Sequence, residues 1–238
     1  MSGMDKLYLV IPAYNEKDNI RDVVEEWHDE LEKHNDIDYM IVVINDGSTD
    51  NTLTILEEMV SSINKLVVLN KKNGGHGSAV LYGYRYAIEQ NAEWIFQNDG
   101  DGQTVTNEFG DFWRCRDKHD AIIGKRPTRG DGKSRKAVED VLCKLIRIIF
   151  GVKLHDVNAP FRLMKTELVK KYIEKIPYEY NLPNAMLTTL FVYNDENVAF
   201  KNITFNGRKN GVNSINLKNI TKIGIKAIFE FISIRSKL

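Results

Sequence analysis

Asp99 and Asp101 stand on either side of one glycine in IFQNDGDGQT (95–104), where an apolar, β-like run gives out. Two carboxylates this close repel each other unless they share a partner, and a divalent cation most favours hard oxygen ligands. A solvated turn is the plainer alternative, because Asp and Gly are common turn residues. An EF-hand calcium loop does not fit: Asp99, Asp101 and Gln103 take its first, third and fifth positions, but Thr104 stands at the sixth and Gly110 at the twelfth. The surrounding chain has to decide between cation and turn.

The elements that would present these aspartates alternate through the first half of the chain. LYLVI (7–11), YMIVVI (39–44), KLVVL (65–69), EWIFQ (93–97) and DAIIG (120–124) read as buried strands, and the segments between them carry apolar residues at helical intervals. That order predicts an α/β domain with a largely parallel central sheet, whose ligands gather beyond the carboxyl ends of the strands. The strand exits are PAYNE (12–16), NDGSTDNT (45–52), NKKNGGHGSA (70–79) and the Asp99 stretch. Asp46 can accept hydrogen bonds from a base or ribose, while Gly47 and Ser48 allow a tight turn into a helix capped by Asp50 or Asn51. Gly74, Gly75 and Gly77 would let backbone N–H groups approach a ligand, although the loop is neither GxGxxG nor a Walker loop. His76 and His155 read as ordinary polar residues.

Bulk composition narrows the partners. The 238 residues are 42% hydrophobic, which suits one large globular domain. Lys plus Arg equals Asp plus Glu at 33 each, so net charge does not point to nucleic acid. Cys115 and Cys143 lack metal or redox spacing, and the apolar run of MSGMDKLYLVIP is broken too soon by Pro12 for a signal peptide. A cytoplasmic setting is the expectation. No apolar run reaches the roughly 18 residues that a membrane span needs.

PAYNE, NDGSTDNT, NGGHGSAV, FQNDGDGQ and DVNAPFRL (156–163), in this order, resemble the family 2 glycosyltransferases. Within them the resemblance is to the branch typified by dolichyl-phosphate mannose synthase and its bacterial polyprenyl-phosphate relatives, from about Leu7 to about Ser214. It implies a GT-A fold: a Rossmann-like, mostly parallel mixed sheet flanked by helices, here with C-terminal amphipathic helices. It also implies a UDP- or GDP-sugar donor, inversion at the anomeric carbon, and Mn2+ or Mg2+ on Asp99, Asp101 and Gln103. By the same resemblance Pro12, Ala13, Tyr14 and Glu16 line the nucleoside pocket and Asp46 meets base or ribose. Gly47, Ser48, Gly77 and Asn98 join Asp99 around the donor. Two departures are visible: Asn45 stands where the family often has Asp, and Gly100 where Ala is commoner.

Past residue 124 the stretch GKRPTRGDGKSRKA crowds Lys125, Arg126, Arg129, Lys133, Arg135 and Lys136 together. Such a run is usually a solvated loop, but beside a diphosphate site its cations suit an acceptor phosphate. The resemblance places Arg126 and Arg135 at phosphate-binding positions, and Arg162 and Arg208 at later family arginines. A hydroxyl acceptor would need a general base. Glu179 and Asp156 are the candidates, yet neither sits in the acidic pair that hydroxyl-transferring relatives supply. A lipid-phosphate acceptor is therefore favoured over a lipid-linked or glycan hydroxyl. A non-catalytic nucleotide-sugar-binding subunit is the remaining alternative, disfavoured because all three metal-ligand positions are kept. The expected division is a catalytic domain, 1–215, and a helical tail, 216–238. In VEDVLCKLIRIIFGVKL (138–154) the face Val138, Val141, Leu142, Leu145, Ile146 and Ile149, and in the tail Ile220, Ile223, Ala227, Ile228, Phe231 and Ile232 beside Lys218, Lys222 and Lys226, suit core helices or peripheral contact with the cytoplasmic membrane face.

Overall fold

The computed structural model describes residues 4–127, 133–207 and 227–238, the side chains of 133–135 and 137 excepted. The five apolar runs are strands: β1 (Asp5–Ala13), β2 (Ile37–Asn45), β3 (Leu66–Asn70), β4 (Trp94–Gln97) and β5 (Ala121–Lys125). Two further strands, β6 (Arg162–Lys165) and β7 (Val198–Asn202), have no counterpart among the sequence-based expectations. The helices are α1 (Ile20–Leu31), α2 (Thr52–Val60), α3 (His76–Glu89), the short α4 (Phe109–Trp113), α5 (Lys133–Phe150), α6 (Thr166–Ile173), α7 (Pro183–Tyr193) and α8 (227–235).

Among the described residues the strands form one sheet in the order β3-β2-β1-β4-β6-β5-β7. All neighbours are parallel except those of β6, which runs against both β4 and β5. This reversal has a direct consequence for the site. The first residue of β6, Arg162, lies at the edge where the parallel strands end, paired in register with Gln97.

β1 is buried without interruption from Leu7 to Ala13, as a central strand covered on both faces must be. Its alternate side chains enter two separate cores. Tyr8 and Val10 join Ile44, α3, α6 and α7, whereas Leu7, Leu9 and Ile11 join Trp27, Phe96, Phe109 and Phe161. Helix α5 buries Leu142, Ile146 and Phe150 and leaves Val138 and Val141 exposed, so the buried face is rotated away from the one expected from Val138 onward. Helix α8 sends Ala227, Phe231 and Ile234 into the core that holds Val10 and Ile95. The expected boundary at 215/216, together with Lys218, Ile220, Lys222, Ile223 and Lys226, lies outside the described residues. No described helix is long and apolar enough to cross a membrane. Both cysteines are half-buried, and burial, helped by the Glu139 charge, pushes the Cys143 thiol up to about 11.

Helix α3 can lie close on β1 and β2 because Gly83 faces them. A Cβ there would run into Val10 Cγ1 and come within 2.7 Å of Ile44 Cδ1. Two effects oppose each other: Ala gains about 1 kcal/mol over Gly in helix propensity, while overpacking costs about 1–3 kcal/mol. Because Val10 Cγ1 belongs to a stiff branched side chain on the central strand, the clash should win. Gly83→Ala is expected to lower stability by about 1 kcal/mol in urea denaturation, and a gain in stability would contradict this packing.

Candidate active site

The strand exits are tied to one another by side-chain to backbone hydrogen bonds. After β1, the Asn15 N–H donates to Ser48 Oγ at 3.0 Å, and Asn15 Oδ1 accepts from the Thr49 N–H at 2.8 Å. The Glu16 N–H donates to Thr52 Oγ1 at 2.9 Å, and the Glu16 carboxylate accepts from Asn19 Nδ2 at 2.8 Å. Asp50 takes the Thr52 N–H at 2.9 Å and so supports the start of α2, whose N-cap residue, Asn51, makes no side-chain cap hydrogen bond. Pro12, Ala13 and Glu16 are buried, while Tyr14 is exposed beside them.

Asp46 holds the second and third exits together. Its Oδ1 accepts from Lys71 Nζ at 2.6 Å and from the Gly74 N–H at 3.0 Å, its Oδ2 accepts from the Gly75 N–H at 2.8 Å, and its carbonyl accepts from Asn73 Nδ2 at 2.9 Å. This carboxylate, expected to meet a base or ribose, is 2% exposed and holds the NGG loop. Gly47 has φ +67 and lies against Asn73, and Gly77 packs so tightly on the 180–181 loop that a Cβ would fall on the Tyr180 carbonyl oxygen. In this structure Gly77 is needed for contact between α3 and that loop.

The β4 exit carries the paired aspartates. Asn98 is fixed at both ends, its Oδ1 accepting from Thr104 Oγ1 at 2.7 Å and its Nδ2 donating to the Asp99 carbonyl at 2.9 Å. Asp99 Oδ1 accepts from Gln97 Nε2 at 2.9 Å and lies 3.8 Å from His76 Nε2, at the start of α3. The Asp99 side chain keeps 27% of its exposure. Gly100 sits where a Cβ would press on the Pro12 carbonyl at 3.0 Å, which gives a reason for glycine where alanine is commoner. Asp101 Oδ1 accepts from the Gln103 N–H at 3.3 Å. Gln103 is 2% exposed, with Nε2 committed to the Asn206 carbonyl at 2.8 Å, so Oε1 is its acceptor for any ligand. His76 beside Asp99 is a neighbour that the sequence reading set aside. The cue for it was its place between Gly75 and Gly77 at the start of a helix.

Arg126 is not presented as an open cation. It grips Asp156 through Nε at 2.9 Å and Nη2 at 2.5 Å, its own N–H adds a third contact at 2.7 Å, and the guanidinium lies 4.8 Å from the centre of the Phe205 ring. This partner lies 30 residues away in sequence, beyond the reach of a local count of cations. Arg129 and Arg208 lie outside the described residues, and Arg135 lies on α5 with its side chain undescribed. Glu179 is exposed, and Asp156, the other candidate base, is the partner of Arg126.

No three His, Cys, Asp or Glu side chains gather into a metal cage among the described residues. Mg2+-type sites commonly use one or two carboxylates, with substrate phosphate oxygens and water completing the shell. Asp99 and Asp101, with the Gln103 amide oxygen, are a donor set of that hard-oxygen kind, so the residues present fit the cation that the sequence implied. The cation's contribution would be to offset charge on a departing diphosphate.

The family model described as "Glycosyl transferase family 2" matches residues 8–173, from β1 through α6. The chain belongs to glycosyl transferase family 2. It is similar to CsbB of Bacillus subtilis (strain 168), at 25% identity over 94% of this chain and 66% of CsbB, so it spans just under two thirds of that relative's length. It is also similar to polyprenol monophosphomannose synthase of Mycolicibacterium smegmatis, at 25% identity over 92% of this chain and 84% of that one. Among solved structures, glucosyl-3-phosphoglycerate synthase from Mycobacterium tuberculosis, crystallised with Mn2+, UDP-glucose and phosphoglyceric acid, superposes with a TM-score of 0.69 at 15% identity, over 98% of this chain and 80% of that one. The shared architecture is the GT-A fold.

The Asp46 contacts predict a stability effect. Asp46→Ala would strand the mostly buried Lys71 ammonium and two loop N–H groups, and breaking a buried pair of this kind costs about 3 kcal/mol. Chemical denaturation should show a loss near that size. A loss below about 0.5 kcal/mol, the range of plain surface changes, would mean that the NGG loop does not depend on Asp46.

Proposed function

We propose that this rim binds a UDP- or GDP-linked hexose and transfers the sugar, with inversion, to a polyprenyl-phosphate-type lipid in glycan or cell-envelope biosynthesis. The observation that carries the reading is Asp99: a part-exposed carboxylate just past the end of a central strand, followed two residues later by Asp101, on the edge where the exits of β1 to β4 lie. Similarity to a polyprenol monophosphomannose synthase supports the lipid-phosphate acceptor. So does the engagement of Asp156 by Arg126, which leaves no well-placed general base among the two acidic candidates. A phosphate monoester is already anionic and needs none.

In the reaction an acceptor phosphate oxygen attacks the anomeric carbon as its bond to the donor diphosphate breaks, and the electron pair leaves with the nucleoside diphosphate. One displacement inverts the centre. Asp99, Asp101 and Gln103 would hold Mn2+ or Mg2+, which supplies charge neutralisation at the leaving group. Pro12, Ala13, Tyr14 and Glu16 would form the floor under the nucleoside, and the segment that carries Arg135 and the Asp156-paired Arg126 would be the cationic side toward the acceptor. Peripheral contact with a cytoplasmic membrane face belongs to the same proposal. It is supported by exposed Val141 and Ile148 on α5, at 55% and 79%, and Phe229 and Ile232 on α8, at 69% and 52%. Lys144, Arg147 and Arg235 lie on the same two helices, and basic residues beside apolar ones favour an anionic lipid surface.

Calorimetric titration with UDP and GDP, each with and without Mn2+, followed by transfer assays on polyprenyl phosphate, tests the reading. The expected result is Mn2+-dependent binding of one nucleotide. Asp101→Ala should keep the thermal midpoint and lose both metal-dependent binding and at least 99% of transfer, the size of loss seen when a transition-state electrostatic group is removed. Normal turnover by Asp101→Ala would refute the assignment.

A further inference from the structure

Behind Asp99, buried polar side chains continue inward from the strand exits. Gln97, the last residue of β4, donates to Asp99 Oδ1 at 2.9 Å. Gln97 Oε1 accepts from Asn184 Nδ2 at 2.9 Å, and Asn184 Oδ1 accepts from the Tyr84 hydroxyl at 3.2 Å. Arg162 donates to the Asn184 carbonyl at 3.0 Å and to Thr188 Oγ1 at 2.6 Å. Gln97, Tyr84, Arg162 and Thr188 are all 0% exposed and Asn184 is 2% exposed. The set draws on four elements, α3, β4, β6 and α7, and touches the rim through Asp99.

Its direction follows from donor and acceptor chemistry. An ionised carboxylate only accepts, so Gln97 must offer its NH2 to Asp99 and its oxygen to Asn184. Asn184 must then donate to Gln97 and accept from Tyr84. Turning over either amide sets oxygen against oxygen at one junction. Arg162 supplies the charge that an uncharged relay lacks. Burial lowers its pKa, while the nearby Tyr84, Asp156 and Asp99 favour its charged form, and among the described residues it makes no ion pair. A buried guanidinium surrounded by neutral acceptors is costly, and an apolar cluster of similar shape would serve packing alone equally well.

We propose that Gln97 and Asn184 are positioning residues for Asp99, oriented from behind by Tyr84 and Arg162, which turn one Asp99 oxygen inward and leave the other for a cation at the donor site. The inference rests on Asp99 being a cation ligand. Hydrogen-bond partners behind metal ligands typically change metal affinity by 10- to 100-fold when removed.

The test is Mn2+ affinity at a saturating concentration of whichever of UDP and GDP the parent binds, measured by calorimetry on the parent protein, Gln97→Met, Asn184→Leu and Tyr84→Phe, with thermal midpoints and metal-free binding of that nucleotide recorded alongside. Expected are losses of Mn2+ affinity of roughly tenfold or more for Gln97→Met and Asn184→Leu, a smaller loss for Tyr84→Phe, and unchanged metal-free nucleotide binding. Parental Mn2+ affinity in the two folded amide variants, with only a lowered thermal midpoint, would make the network a core feature and overturn the inference. Should both variants fail to fold, Tyr84→Phe decides: weakened Mn2+ binding supports the relay and parental binding overturns it. A parent protein that takes up no Mn2+ with either UDP or GDP would remove the cation reading itself, and the positioning inference with it.

Discussion

Gathering carboxylates at one sheet edge is electrostatically expensive, and the way each is compensated organises this end of the molecule. Asp46 is compensated by Lys71 and two backbone N–H groups. Asp156 is compensated by a bidentate guanidinium from Arg126. Asp99 is treated differently: among the described residues it has a neutral amide at 2.9 Å and a histidine at 3.8 Å, and no lysine or arginine ion pair. The protein spends its fixed cations on the carboxylates that hold loops together. In the proposed reading a mobile cation is what Asp99 and Asp101 share.

The fold makes this division possible. Parallel β1, β2, β3, β4 and β5 deliver their carboxyl ends to one edge, and antiparallel β6 brings Arg162 to the same edge from the opposite direction. Gly47 lets the second and third exits close on one another and Gly77 lets α3 close on the 180–181 loop, while Asn98 and Gln103 are held by hydrogen bonds within the β4 exit and to Asn206. Rigid loops matter because a ligand misplaced by 1 Å can cost two orders of magnitude in rate.

Much of this was legible in the sequence, for identifiable reasons. Strands buried on both faces read as unbroken apolar runs, which is why β1 to β5 and the acidic and glycine-rich exits stood out. β6 and β7 did not. RLMK opens on a buried arginine and VAFKN is half-exposed, so neither shows the apolar run of a central strand. Pairings distant in sequence were equally invisible: neither the pairing of Arg126 with Asp156 nor that of Asp46 with Lys71 and the NGG loop leaves a local signal. Gln97 and Asn184 carried only faint signals, a polar residue closing an apolar strand and an amide just after the proline that opens α7. The role of Arg208 lies in the part of the chain outside the described residues.

The central claim is that Asp99 faces a donor diphosphate through a shared cation. The most direct measurement is anomalous scattering at the manganese edge from crystals grown with UDP and Mn2+. A single strong peak about 2.1 Å from an Asp99 oxygen, the distance expected for a small hard cation, and in contact with the UDP phosphates, is the predicted result. Well-ordered UDP in the rim with no peak at Asp99, or with the metal bound elsewhere, would contradict it.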